Sequence, residues 1–224
     1  MHSSTPSAHG SVPQPFPLGD ATQTEHFGRA LAHLHSAANT FTTSASRSPH
    51  IIRNTVDQPL QTLQPLLAHR PADWEYLQHV ALVVHQHLDA IAHHLTWGVI
   101  HGDPFSANAT LNRENHVTWF DFDLCGPGWH LSDVADGHAS AMGQERPEEE
   151  KEAIWQSFLR GYRSQLSLSD EHLTLIPVLL AARTIYFMSL NARKGQIQGF
   201  EYWGSDEFFD DWMQHTRNWM KQVC

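Results

Sequence analysis

Hydrophobic residues recur at steps of three and four through most of this chain, and that spacing predicts a succession of amphipathic helices. Phe27, Leu31, Leu34 and Ala38 form the first apolar stripe, on a helix opening near Thr22, where Thr22 and Glu25 match a capping box. A polar, breaker-rich stretch, TFTTSASRSPH, leads to a short helix from Gln58 to His69. Pro71 suits the first turn of a longer helix, where Trp74, Leu77, Val80, Val84, Leu88, Ile91 and Leu95 line one face to about residue 95. The period then changes. A polar turn at Asn112–Asn115 precedes the alternating run His116–Val117–Thr118–Trp119–Phe120, which predicts the second strand of a hairpin. Helices resume near Asp133, after Pro147 behind the acidic run Glu148–Glu152, from near Ser169 to Arg193, and from Ser205, where Asp206 and Glu207 favour a helix N-terminus. Phe208, Phe209, Trp212 and Trp219 on the last helix read as core. The fold class is α+β, mostly α, with one small embedded β-hairpin.

Length and composition narrow the picture. The 224 residues allow one large domain or two small ones, and 41% hydrophobic residues suffice for a sizeable core. Residues 1–19 are rich in Ser and Pro and read as a flexible linker, with no basic cluster or apolar run of the secretory type. Leu173 to Leu190 is apolar enough to raise the question of a membrane span. Pro177, Arg183 and Thr184 within it predict a buried core helix instead. A formal charge of −10 lacks the basic footprint of a nucleic-acid binder. Two cysteines, Cys125 and Cys224, make no disulfide framework, which points to a reducing, cytoplasmic setting. Cys125 reads as a packed residue, since Asp121 and Asp123 beside it would raise a thiol pKa. The 18 histidines include His79, His85, His87, His93 and His94 on the long helix. With no HExxH or CxxC they read as surface or core residues, and His130 and His138 have no assigned task.

The chemistry concentrates between residues 99 and 136. Asp103 and Asn108, in HGDPFSAN, are five apart, the spacing of the Asp and Asn in a kinase catalytic loop. Asp121, in DFD, follows Asn108 by 13 positions at the end of a strand, where a kinase carries its metal-binding aspartate. Phosphoryl transfer needs a carboxylate to orient the acceptor hydroxyl and take its proton, and oxygen ligands to hold Mg²⁺ against the phosphates. The hairpin would carry the chain out from Asn108 and back to Asp121, so that both reach one metal. Oxygen ligands without sulfur favour Mg²⁺ over zinc.

With HGDPFSAN followed by VTWFDFDLCGPGWHLSDVA, the chain resembles the aminoglycoside phosphotransferase and choline kinase-like family, whose fold is protein-kinase-like. The resemblance extends to FGRALAHLH and LLAARTIYFMSLNARKG and covers residues 20–222 in outline, as the helical C-terminal lobe. It implies Asp103 as catalytic base and Asn108 and Asp121 as Mg²⁺ ligands. It further implies His101 as a structural member of the loop and Asp133 as the acid bracing the loop from the following helix. Asp123 stands where kinases carry glycine and is a weaker candidate for the metal shell. The cofactors implied are Mg²⁺ and ATP. The substrate pocket would lie between the catalytic loop and the late helices, with Arg183, Tyr186 and Trp203 as lining candidates.

One part of the family pattern is missing. A kinase-like enzyme carries, upstream of the catalytic loop, a glycine-rich loop and a lysine that anchor the nucleotide phosphates. Here no GxGxxG precedes residue 101, and Lys151, Lys194 and Lys221 all follow Asp121. The expectation is therefore that the N-terminal nucleotide lobe is absent and that transfer by the isolated chain is weak or lost. The alternative is a non-catalytic binding or scaffold protein built on the helical lobe. A Mg²⁺-dependent hydrolase using Asp103 and Asp121 is a third reading without a further ligand cluster to support it. The expected partner is a small hydroxyl-bearing substrate, with the acidic balance favouring a cationic one. A homodimer or partner chain is expected at the seam where an upper lobe would dock.

Overall fold

The computed structural model describes residues 19–42, 44, 46–112, 114–143 and 145–223. Apart from Gly19, the expected N-terminal linker lies outside them, as does Cys224. Helix α1 (Ala21–Ala38) is capped by Asp20, whose carboxylate accepts the amides of Thr22 at 2.8 Å and Gln23 at 3.0 Å. The Thr22–Glu25 capping box is thus displaced by an aspartate that reaches the same orphan donors from the preceding residue. Glu25 pairs with Arg29 one turn along instead.

A π-helical turn (Arg53–Asp57) runs into α2 (Gln58–Leu63), which ends six residues before the expected His69. Pro65 has no amide hydrogen to continue the ladder, and the chain tightens into turns there. Helix α3 (Pro71–Ile91) begins on its proline as predicted and ends in a 3₁₀ turn at Ala92–His94. Two antiparallel ribbons follow. Strands β2 (Ala109–Leu111) and β3 (Val117–Trp119) form the predicted hairpin, with Ala109 opposite Trp119 and Leu111 opposite Val117. Strands β1 (Trp97–Ile100) and β4 (Gly126–Trp129) form a second ribbon that the sequence did not predict, with Ile100 opposite Gly126. GPGW has the composition of a turn. It pairs because the β1 backbone and His50, whose amide donates to the Pro127 carbonyl at 2.7 Å, supply its partners.

Helix α4 (His130–Met142) starts three residues before the predicted Asp133, so that this aspartate sits in its first turn. Helix α5 (Glu148–Arg163) follows Pro147 as expected. The helix expected over 169–193 is two, α6 (Asp170–Leu173) and α7 (Ile176–Gln198), because Pro177 cannot donate to the turn before it. Helix α8 (Asp206–Met220) is capped by Ser205, whose hydroxyl accepts from the Phe208 amide.

Helix α7 is the centre of the core and packs against α2, α3, α4 and α8, while α1 packs most extensively on α5. At that crossing Gly28 and Gly161 let two backbones touch, since a Cβ on either would strike a carbonyl of the facing helix. Residues 170–198 are the one stretch, among the described residues, long and apolar enough to cross a membrane, and most of its apolar 18-residue core is buried inside the fold. Phe208 and Phe209 are buried, with Trp212 partly exposed against Phe208 and Trp219 partly exposed at the core's edge beside His138. On α3, His85 lies between Asp57 and Asp89, at 3.0 Å from each. No group of three or more His, Cys, Asp or Glu side chains is poised to hold a metal among the described residues.

Candidate active site

Strand β1 delivers the chain into the HGD turn, which is fastened from below. Asp133, in the first turn of α4, accepts the amide of His101 on Oδ2 at 2.7 Å and that of Gly102 on Oδ1 at 3.0 Å. Its Oδ2 also meets His35 Nε2 at 3.0 Å, and His35 Nδ1 meets the Tyr162 hydroxyl at 2.9 Å. Burial works to raise the Asp133 carboxyl, but the bonds from His35, His101 and Gly102 prevail and hold it below the ordinary carboxylate range. Gly102 is required at its place. Its φ is +82°, and a Cβ there would strike the Leu124 carbonyl.

The hairpin closes on this loop through two links. His101 Nε2 donates to the Phe120 carbonyl at 3.0 Å, and the Phe120 amide donates to the Asn108 carbonyl at 3.1 Å. The ring of His101 is buried between Trp119 and Phe122. Asn108 Nδ2 donates to the Asp103 carbonyl at 2.9 Å and to Asp103 Oδ2 at 3.1 Å. Asp121 follows Phe120 directly, is exposed, and holds the left-handed backbone value φ +60°, uncommon for a non-glycine residue. Asp123 is exposed two residues on, and its carbonyl accepts Arg47 Nη1 at 2.7 Å.

From α7, Arg183 Nη2 reaches Asp103 Oδ1 at 2.6 Å, and the same guanidinium pairs with Asp136 of α4. The guanidinium carbon lies 3.9 Å from the Phe187 ring centroid and 4.7 Å from that of Phe105. Asp136 is buried, which pushes its carboxyl up, while the charge of Arg183 works the other way. Arg183 and Tyr186 both line a small cavity beneath the loop, together with His50, Gly102, Asp133 and Asp136. Trp203 lies apart, with its backbone and Cβ against Gly195 near the far end of α7 and its ring 5.0 Å from that of Phe200. A larger groove of about 340 Å³ continues from the cavity along α7. On the other side of β1, Leu34, Phe41, Val99, Phe122 and Cys125 line an apolar groove of about 380 Å³.

Three residues of this arrangement were not anticipated: Asp136, His35 and Tyr162. Asp136 lies three positions after Asp133, on the same side of α4, and His35 extends the apolar stripe of α1 one turn beyond Leu31. The donor atoms present fit a magnesium ion. Asn108 uses its amide nitrogen on Asp103, which leaves its side-chain oxygen open to a cation, and the exposed Asp121 carboxylate follows Phe120, whose amide is bound to the Asn108 carbonyl. Mg²⁺ characteristically takes one or two protein oxygens and completes its shell with phosphate and water, so no all-protein cage is required.

The model of the phosphotransferase enzyme family matches residues 8–166. An uncharacterized protein of Deinococcus radiodurans is 35% identical over 193 residues, 86% of this chain and 56% of that protein. One from Synechocystis sp. is 34% identical over 154 residues, 66% of this chain and 40% of that protein. The chain thus spans about half the length of these curated relatives. Among solved structures, a microcompartment-associated aminopropanol kinase superposes with a TM-score of 0.64 at 18% identity, over 89% of this chain and 60% of that one. A choline/ethanolamine kinase family protein from Mesorhizobium loti gives 0.64 at 14% identity, over 94% and 67%. Their likeness is one of fold, the protein-kinase-like fold. With most of its length matched by the family model, the chain belongs to the phosphotransferase enzyme family.

Proposed function

We propose that this chain is the helical catalytic lobe of a small-molecule kinase that moves the γ-phosphoryl group of ATP to a hydroxyl, with Asp103 as the base. The observation that carries this reading is the placement of Asp103. Its carboxylate is partly exposed and is held on one oxygen by Arg183 and on the other by Asn108, over a loop fastened by Asp133. Asp103 orients the acceptor hydroxyl and takes its proton as the oxygen bonds to phosphorus and the bond to the β-phosphate oxygen breaks, releasing ADP. Mg²⁺ held by Asn108 and Asp121 would neutralise the phosphate charge, with Asp123 in its outer shell. Asp133 and His101 keep the loop in register with the hairpin. An amicoumacin kinase of the same fold was solved with AMP-PNP and Ca²⁺, which supports nucleotide and divalent-metal use by this site.

The nucleotide-holding part of such a kinase would rest on the apolar groove of Leu34, Phe41, Val99 and Phe122, which adjoins the catalytic loop and leaves Phe41 62% exposed. The greater length of the relatives supports a further lobe there, supplied upstream or by a second chain. That same difference in length favours the second reading, a scaffold that keeps the lobe without transfer.

The deciding experiment measures ATP- and Mg²⁺-dependent phosphorylation of a panel of hydroxyl compounds in the cytosolic pH range. It compares the chain alone with the chain joined to a nucleotide lobe. Transfer that falls at least about 10²-fold in Asp103→Asn supports the kinase reading. Transfer indifferent to that change, or no shift in thermal unfolding with ATP and Mg²⁺ in either form, supports the scaffold.

A further inference from the structure

The 340 Å³ groove lies between residues 48–62 and the α7 face that carries Arg183, Tyr186, Ser189 and Arg193. It shares His50, Thr55 and Tyr186 with the cavity under the catalytic loop, so the two are continuous. Its chemistry is one-sided. The side chains of Gln58, Tyr186, Ser189 and Arg193 face it and have no hydrogen-bond or ion-pair partner among the described residues, while no carboxylate lines it. The carboxylates nearby are engaged elsewhere: Asp103 and Asp136 with Arg183, and Asp57 with His85. Burial pushes the Tyr186 phenol up, against the opposing charge of Arg183, so it stays a neutral hydroxyl that can donate. His50 donates Nε2–H to the Leu124 carbonyl at 2.8 Å, and burial keeps it uncharged. The uncompensated charge of the groove is therefore the guanidinium of Arg193.

We propose that this groove seats the phosphoryl acceptor, and that the acceptor is a polyhydroxylated molecule ending in an anionic group, carboxylate or phosphate, held by Arg193. The inference rests on the reading of Asp103 as the base, since it places the reacting hydroxyl at that end. A cationic acceptor, which the net charge of the whole chain would attract, meets no counter-charge in the groove and is repelled by Arg193. A polyol uses the free hydroxyls and amide that a hydrocarbon would strand. Ten residues of α7, about 15 Å, separate Arg183 from Arg193, and the reach of the long arginine side chains brings that span down to a sugar-sized chain. The anionic end is thus far from the reacting hydroxyl.

The test is calorimetric titration of the whole chain with gluconate, glucose 6-phosphate, glucose and choline. Gluconate or glucose 6-phosphate should bind about tenfold or more tighter than glucose or choline, and which of the two binds better distinguishes carboxylate from phosphate. Arg193→Glu should lower that affinity at least about tenfold without moving the thermal midpoint, since Arg193 is exposed and ion-paired to nothing described. Equal or tighter binding of choline or glucose, no binding of either anionic probe, or unchanged affinity in Arg193→Glu would each overturn the proposal. Because binding is read without turnover, an absence of phosphoryl transfer would remove the kinase reading while leaving these results to stand on their own.

Discussion

Nη2 of Arg183 sits 2.6 Å from Oδ1 of Asp103, although 80 positions separate the two residues. The contact joins the middle of the core helix α7 to the HGD loop, and through Asp136 it ties both to α4. The guanidinium lies against the rings of Phe187 and Phe105, so its position is set by packing as well as by charge.

Replacing Arg183 with Met should therefore cost more than one surface ion pair. Asp136 would be left buried without its counter-charge, a situation that typically costs about 3–5 kcal/mol. Asp136→Asn in the same chain should restore more than about 1 kcal/mol, because it removes the stranded charge. Urea unfolding of the two single variants and the double variant measures the coupling.

Asp133→Asn should loosen the loop from its base. An amide group cannot accept all the bonds that Asp133 takes from His101, Gly102 and His35, and about 2–4 kcal/mol should be lost. Hydrogen exchange at the His101 and Gly102 amides should accelerate. Asp123→Asn, at an exposed carboxylate, should leave both measurements within error.

Stability should fall on mild acidification. Burial, with His35 stacked beside it, pushes His130 down to about 4, and burial does the same to His138. An unfolded histidine titrates near 6.5, so between that pH and about 4 the unfolded chain binds more protons than the folded one. The contribution is present above pH 6.5 and is lost as pH falls toward 4, on the order of 2–3 kcal/mol for each residue. Thermal midpoints from pH 7.5 to 4.5 should drop accordingly, and less steeply in His138→Gln.

Gly102→Ala should be among the most damaging single-methyl changes. The positive φ and the Leu124 carbonyl both oppose a side chain there, and a loss of about 2 kcal/mol or more is expected in denaturant unfolding.

Local signals in the sequence carried much of this architecture. Pro71, Pro147 and Ser205 marked helix starts that the structure keeps, and the turn at Asn112–Asn115 marked the hairpin. The spacing of Asp103 and Asn108 was legible because both belong to one short loop. What stayed hidden depends on partners far along the chain. His35 and Asp133 meet across 98 positions, and His35 and Tyr162 across 127, so no window of sequence contains either contact. The β1–β4 ribbon was missed for a related reason, since GPGW becomes a strand only where Trp97–Ile100 and His50 offer it partners. Asp20 was passed over because Thr22 and Glu25 satisfied the same capping pattern two residues later.

The His35–Asp133 contact also defines how this protein can be cut. Helix α1 is remote from Asp103 in sequence and touches none of the groups proposed to react, yet its histidine completes the anchor on which the HGD turn rests. Any shortened version made for crystallography or assay should therefore begin before Asp20, because a boundary drawn at the HGD motif or at α3 would remove part of that loop's foundation.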